Sequence, residues 1–219
     1  MRMRRKAKQD DHLEEPVEPQ DVDGAGEAAS DPRAGGPWDA SEVDLEEDDR
    51  SRVDLGAMSI KGRPGVEVRL QADEASGQIQ AVMLVAEDGA MELRPFAAPR
   101  HEGIWDDVRA QLAGEASRRG GKAAEVEGPY GTALQMVLPV VTPDGQQGQQ
   151  ASTVHGIAGP RWLLRVSTFG RPAVEHHEDG LLEQVLRDIV VVRGTEPMSP
   201  GEALPLVMPS GARRIQESD

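Results

Sequence analysis

The sequence predicts an α+β fold, an antiparallel sheet with two helices packed against it, preceded by a disordered acidic N-terminal tail. Three observations carry this. Apolar and polar residues alternate through most of the chain after Arg52, two segments switch to helical spacing, and the first fifty or so residues lack any apolar period. Consecutive strands joined by short turns, without a helix after each, exclude a doubly wound parallel sheet.

The elements follow in order. "RVDLGAMSI" reads as a first strand, with Gly56 marking a bulge. "GVEVRLQAD" alternates Val66, Val68 and Leu70 with Glu67, Arg69 and Gln71, the pattern of a half-buried strand. After a turn at "DEASG", "QIQAVMLVAE" is apolar on both faces, as a central strand covered on both sides would be. "EDGA" is a hairpin signal, and "MELRPF" returns along it.

The period then changes. "IWDDVRAQLAGEASRRGG" places Ile104, Val108 and Leu112 on one helical face and closes on two arginines and two glycines, a helix C-terminus. "AAEVEG", "ALQMVLPVV", "ASTVHGIAG" and "PRWLLRVST" resume as strands, with "TPDGQQGQQ" as an exposed loop between the second and third of these. In "DGLLEQVLRDI", Leu182, Val185, Leu186 and Ile189 give the stripe of an amphipathic helix. "VVVRG" follows, and then the Pro-punctuated "EPMSPGEALPLVMP" in extended form. The domain boundaries read as 1–51 for the tail, 52–209 for the α+β domain and 210–219 for a C-terminal tail.

Charge excludes several functions. The 219 residues carry 24 Lys plus Arg against 39 Asp plus Glu, net −15. Binding to phosphate backbones or anionic lipid relies on clustered cations, so nucleic-acid binding is disfavoured. Six aromatic residues are too few for a base-stacking platform. No cysteine is present, which excludes disulfides, thiolate metal sites and a cysteine nucleophile. The basic start "MRMRRKAKQDD" runs into "HLEEPVEPQDVDG" instead of an apolar stretch, unlike a signal peptide. No run of about 18 apolar residues is present to span a membrane. A cytoplasmic location is the expectation.

Residues 1–52 hold 8 basic and 16 acidic residues, net −8, and cannot bury enough apolar surface to order themselves. One piece stands out, "GPWDASEVDL", with Trp38 ahead of Val43 and Leu45. Asp39 or Ser41 could cap a short helix, with Glu42 in capping-box spacing from Asp39. A tryptophan there either clasps its own domain or anchors a partner, so Trp38, Val43 and Leu45 are binding candidates.

"FAAPRHEGIWDDVR" is the densest cluster of reactive side chains, with Arg100, His101 and Glu102 as further binding candidates. It begins like the zinc-protease motif H-E-x-x-H, but Trp105 takes the place of the second histidine. Asp106 and Asp107 are neighbours on a helix, about 100° apart, and cannot flank one bond. They suit the positive end of the helix dipole instead. "EHHED", residues 175–179, mixes His176 and His177 with carboxylates, but adjacent histidines rarely converge on one ion, and helix capping is the simpler account. His155 sits in a strand pattern with no nucleophile nearby in sequence. No phosphate loop, nucleophile elbow or dinucleotide fingerprint is present. No catalytic residue, metal site or cofactor is therefore assigned.

"GPWDASEV", "RVDLGAM", "FAAPRHEGIWDDVR", "PDGQ", "GPRWLLR" and "RDIVVVRG" arrive together and in order. In these the chain resembles an actinobacterial family catalogued as a domain of unknown function, number 3710, from about Gly36 to Pro209. The resemblance implies no activity. In outline the order of elements is similar to small antiparallel-sheet domains of the Mog1/PsbP type, which act mainly in binding. The function expected is a non-enzymatic protein-binding or adaptor domain. The alternative is a small-molecule-binding or hydrolytic enzyme with its site near His101 and Glu102.

Overall fold

Alternating apolar residues build most of the molecule. The computed structural model describes residues 33–45, 52–100, 103–142 and 144–209. Among these, seven strands form one antiparallel sheet: β4 (Glu67–Ala72), β5 (Ile79–Ala86), β6 (Gly89–Ala97), β7 (Lys122–Gly128), β8 (Gly131–Val141), β9 (Gln147–Gly159) and β10 (Trp162–Gly170). Their order across the sheet is β4-β5-β6-β10-β9-β8-β7. The chain thus leaves β6 at the middle of the sheet, builds β7 at the far edge and zigzags back to β10.

A second, four-stranded sheet has the order β1-β11-β3-β2, from β1 (Trp38–Asp39), β2 (Arg52–Asp54), β3 (Met58–Lys61) and β11 (Val190–Val191). Here β1 and β11 run parallel and the other pairs antiparallel. The sequence suggested one sheet. "RVDLGAMSI" instead turns back on itself at Leu55–Ala57, so that Asp54 lies opposite Ser59 and Arg52 opposite Lys61. The expected bulge at Gly56 is the turn of this hairpin.

The main core lies between the large sheet, the small sheet and helix α2 (Leu181–Arg187). Val82, Leu84, Leu93, Leu164 and Val166 of the large sheet meet Met58, Ile60, Val191, Leu182, Val185 and Leu186. Full burial of one such side chain stabilises by about 1.5–3 kcal/mol. Helix α1 (Trp105–Arg118) packs on the opposite face, its Leu112, Ala113 and Ala116 against Leu134, Met136 and Val154. Successive strand residues point to opposite faces, which is how Val154 serves one core and its neighbour His155 the other side.

Two glycines of β9 make this double layer possible. A Cβ at Gly156 would sit 2.2 Å from the Trp105 ring, and one at Gly159 would sit 2.1 Å from the Trp162 ring. Each tryptophan therefore lies flat against bare backbone, one on each face of the same strand. Trp105 also donates its indole N–H to the Thr132 carbonyl at 2.7 Å, which anchors the start of α1.

Other boundaries moved as well. The loop read over 142–150 is shorter, because β9 begins at Gln147. The Pro-rich segment after β11 is extended but held: Leu204 and Leu206 are buried, and single bridges join Leu206 to Gly56 and Ile79 and Ala203 to Phe96. Residues 33–45, read as tail, lie on the folded unit, with Trp38 paired to Val190. Composition assigned them to the tail because the residues that hold them, described below, are remote in sequence.

Candidate functional site

Strands β6, β9 and β10 bring Met91, His155, Val166 and Thr168 to one face, since Val166 lies opposite His155 and Thr168 opposite Met91. Helix α2 is only two turns long and covers part of that face with Leu182, Glu183 and Leu186. The turn between β7 and β8 contributes Pro129 and Tyr130 from the side. A 3-10 turn at Arg171–Ala173 and the segment leading to α2 form the mouth, with Glu175, His176, His177 and Asp179. These elements enclose a cavity of about 290 Å³.

The walls are tied by polar contacts. The Tyr130 hydroxyl donates to Glu183 Oε1 at 2.5 Å, and Arg187 Nε lies 3.4 Å from the same oxygen. Burial, with the Glu183 charge beside it, raises the Tyr130 phenol above its usual range, so it stays a neutral donor. Thr168 Oγ1 donates to the Thr153 carbonyl at 3.0 Å, and Thr153 Oγ1 to the Ala173 carbonyl at 2.6 Å. The second bond fastens the 3-10 turn to the sheet. At the mouth Arg171 pairs with Asp88 at 2.5 Å, and His177 lies 3.5 Å from Glu175.

His155 differs from these. Its Nδ1 is sealed from solvent, faces the Gly128 backbone and has no hydrogen-bond partner among the described residues. Its ring meets that of Tyr130 edge-on at 6.1 Å. Burial first, and the nearby His176 second, push its pKa down to about 4. At neutral pH it is an uncharged imidazole. A general base works best with a pKa near the operating pH and a partner orienting it, and His155 has neither. The hydroxyl groups of Tyr130 and Thr168 are likewise committed as donors.

The residues singled out by sequence fall elsewhere. Trp38 is half-buried in β1, and Val43 and Leu45 are half-buried beyond it. Next to Trp38, Asp39 is buried and accepts the Trp162 indole N–H at 2.7 Å. Glu42 accepts the Asp39 backbone N–H at 2.7 Å, half of the expected capping box, but residues 40–42 form a turn and no helix. Arg33 grips Glu42 through two hydrogen bonds of 2.6 and 2.7 Å and lies 5.6 Å from the Trp162 ring centre. That guanidinium holds the Glu42 carboxyl down at about 2.

Arg100 is exposed, and lines a recess of about 180 Å³ with Gly103, Ile104, Ala158 and Leu163. His101 and Glu102 lie outside the described residues. Within α1, Asp106 and Asp107 occupy the first turn, and Arg109 pairs with Glu125 at 2.7 Å and Asp106 at 3.1 Å. The acidic capping expected of "EHHED" does not occur: α2 starts from Gly180 with no side-chain cap, and Glu175, Glu178 and Asp179 are exposed, Glu175 and Asp179 at the cavity mouth. Among the described residues no three His, Asp or Glu side chains are grouped to hold a metal ion. No described helix is long and apolar enough to cross a membrane.

Sequence reasoning thus missed Tyr130, Glu183 and the role of His155. Signals for them did exist. His155 is the lone imidazole in a strand, Glu183 interrupts the apolar stripe of α2, and "EHHED" lies at the mouth. Nothing local says that the three converge.

The solution structure of cyanobacterial PsbP (CyanoP) from Synechocystis sp. PCC 6803 is similar at TM-score 0.35 and 12% identity, covering 64% of this chain and 91% of that one. Such a likeness supports no functional argument. No curated protein matches this chain. Residues 36–214 match the family described as "Protein of unknown function (DUF3710)", and with most of its length inside that match the chain belongs to this family.

Proposed function

We propose that this chain is a non-enzymatic binding domain, an adaptor for a protein partner in the cytoplasm, whose recognition site is the cavity beneath α2. The observation that carries this is a cavity with an uncharged His155 on its wall, beside Tyr130 and Thr168 hydroxyls that are already committed as donors. Such a surface can receive a group without performing chemistry on it. Its volume of about 290 Å³ is at the low end for ligand pockets, roughly 300–1,000 Å³. That suits one inserted side chain better than a nucleotide-sized cofactor.

Leu181 stands at the rim and is 45% exposed, so L181W narrows the entrance without entering the core. Wild type and L181W, shown by melting to be equally folded, serve as baits in a native lysate. A partner retained by wild type and lost by L181W is the expected result. Identical partner sets would overturn the proposal.

A second reading, a small-molecule or hydrolytic site near His101 and Glu102, has one observation in its favour, the recess beside Arg100 at the start of α1. A rise in melting temperature with acetate or inorganic phosphate, abolished in R100A, would support it. No rise with either ends it.

A further inference from the structure

We propose that the cavity beneath α2 is specific for an organic cation, an alkylammonium or alkylguanidinium head on a short aliphatic stem. The inference rests on the reading of this cavity as the recognition site and adds the class of group it takes.

The floor supplies the place for the stem. Met91, Val166, Leu182 and Leu186 line it with apolar side chains, each almost fully buried. Hydrocarbon inserted there leaves water without displacing a polar contact. The lining charges then set the sign of the head. Four carboxylates line the cavity, Asp88, Glu175, Asp179 and Glu183, against the one guanidinium of Arg171. Arg171 is spent on Asp88, and Glu183 already faces Arg187 and the Tyr130 hydroxyl.

Glu175 and Asp179 stand exposed at the mouth; Glu175 lies 3.5 Å from His177 and within electrostatic reach of Arg171, whose own ion pair is with Asp88. An anion entering would face both. A cation entering is drawn by both, and the chain's net charge of −15 has the same sign. The inner wall agrees, because an uncharged His155 does not repel a cation and its ring, like that of Tyr130, offers an electron-rich surface. Stem inward and charged head at the rim is the way amphipathic lysine and arginine side chains settle on apolar surface. The same chemistry could come from a free amine or from a basic side chain of a partner.

Three isosteric probes separate the possibilities on the full chain: n-butylammonium, 1-butanol and butyrate, at constant ionic strength, followed through the ring signals of His155 and Tyr130 by NMR. The expected result is saturable shifts with butylammonium, about tenfold weaker binding of butanol and none of butyrate. Equal binding of all three would leave the cavity a binding site and overturn its cation specificity. Binding by none overturns both the specificity and the site. The double variant E175Q/D179N alters only exposed side chains, and should weaken butylammonium several-fold while leaving butanol unchanged. An unchanged butylammonium affinity also overturns the proposal. An acetyl-Gly-Lys-Gly-amide peptide distinguishes the sources: tighter binding than butylammonium marks a partner's side chain, and weaker binding marks a free amine.

Discussion

Trp162 donates its indole N–H to the carboxylate of Asp39 across 123 positions of sequence, at 2.7 Å and with both residues buried. This bond couples the first described segment to the centre of the large sheet. The same carboxylate accepts the backbone N–H of Ser41 at 2.9 Å and its hydroxyl at 2.6 Å, so one acidic group organises the turn after β1. Asp39→Ala leaves the buried indole N–H without an acceptor. A loss of about 2–3 kcal/mol is expected, since hydrogen bonds to charged groups are at the upper end of the usual range. Urea unfolding measures it. A variant within 0.5 kcal/mol of wild type, roughly the scale of an ordinary surface substitution, would mean the segment is not held this way.

His155 gives the fold a pH dependence. Its folded pKa, near 4, is below the unfolded value of 6.5, so the unfolded chain binds the proton more readily. Stability is therefore full above about pH 6.5 and falls as the pH drops toward 4, by at most about 3 kcal/mol from this group. H155F should remove that part of the slope, read as the difference between the two unfolding profiles. Below pH 4.5 the Glu42 carboxylate adds its own loss, toward about pH 2, as its pairing with Arg33 is broken. Parallel profiles for H155F and wild type between pH 6.5 and 4 would show the imidazole to be solvated.

Gly156→Ala places a methyl group against the Trp105 ring, 2.2 Å from its nearest atom. The ring must move, and with it the bond to Thr132 and the start of α1. Overpacking of this kind costs about 1–3 kcal/mol. Denaturant unfolding should show that loss, with a shift in tryptophan emission as Trp105 becomes wetter. An unchanged emission spectrum would place the ring elsewhere.

Arg94 and Arg165 sit directly opposite each other on β6 and β10, sharing Glu92 at 3.0 and 3.5 Å. Both Nε atoms are sealed from solvent: that of Arg94 makes the 3.0 Å ion contact with Glu92 outside hydrogen-bonding geometry, and that of Arg165 has no hydrogen-bond partner among the described residues. Burial first and the neighbouring Arg94 second lower the Arg165 pKa, although its ring contact with Phe96 at 5.5 Å is favourable. Like charges directly opposite on a sheet are destabilising, and a buried ion pair is often replaced by apolar residues at no loss. R165M should thus be neutral or more stable in thermal unfolding, with Glu92 still held by Arg94. A loss above about 2 kcal/mol would show that the pair is a net support of the sheet.

The strands and helices were legible where one residue's neighbours decide its state. Val66, Val68 and Leu70 alternate because β4 is wet on one side, and the stripe from Leu182 to Ile189 marks a helix whatever it packs on. The Gly56 segment was misread because bulge and hairpin turn use the same residue type, and only the pairing of Arg52 with Lys61 tells them apart. The charge balance, the lack of cysteine and the missing zinc ligand at Trp105 were equally plain.

What the sequence determined by itself is therefore the fold class, the faces of its strands and the absence of cysteine chemistry, because each depends on local spacing or on composition. The tertiary structure decided which faces meet. Residues 33–45 join the fold through Trp162 and through Val190 and Val191, and Tyr130 reaches Glu183 from 53 positions away to close the cavity around His155. Periodicity fixes the direction of a side chain but not its distant partner, and a cavity built from three strands, a helix and two turns exists only once those partners are set.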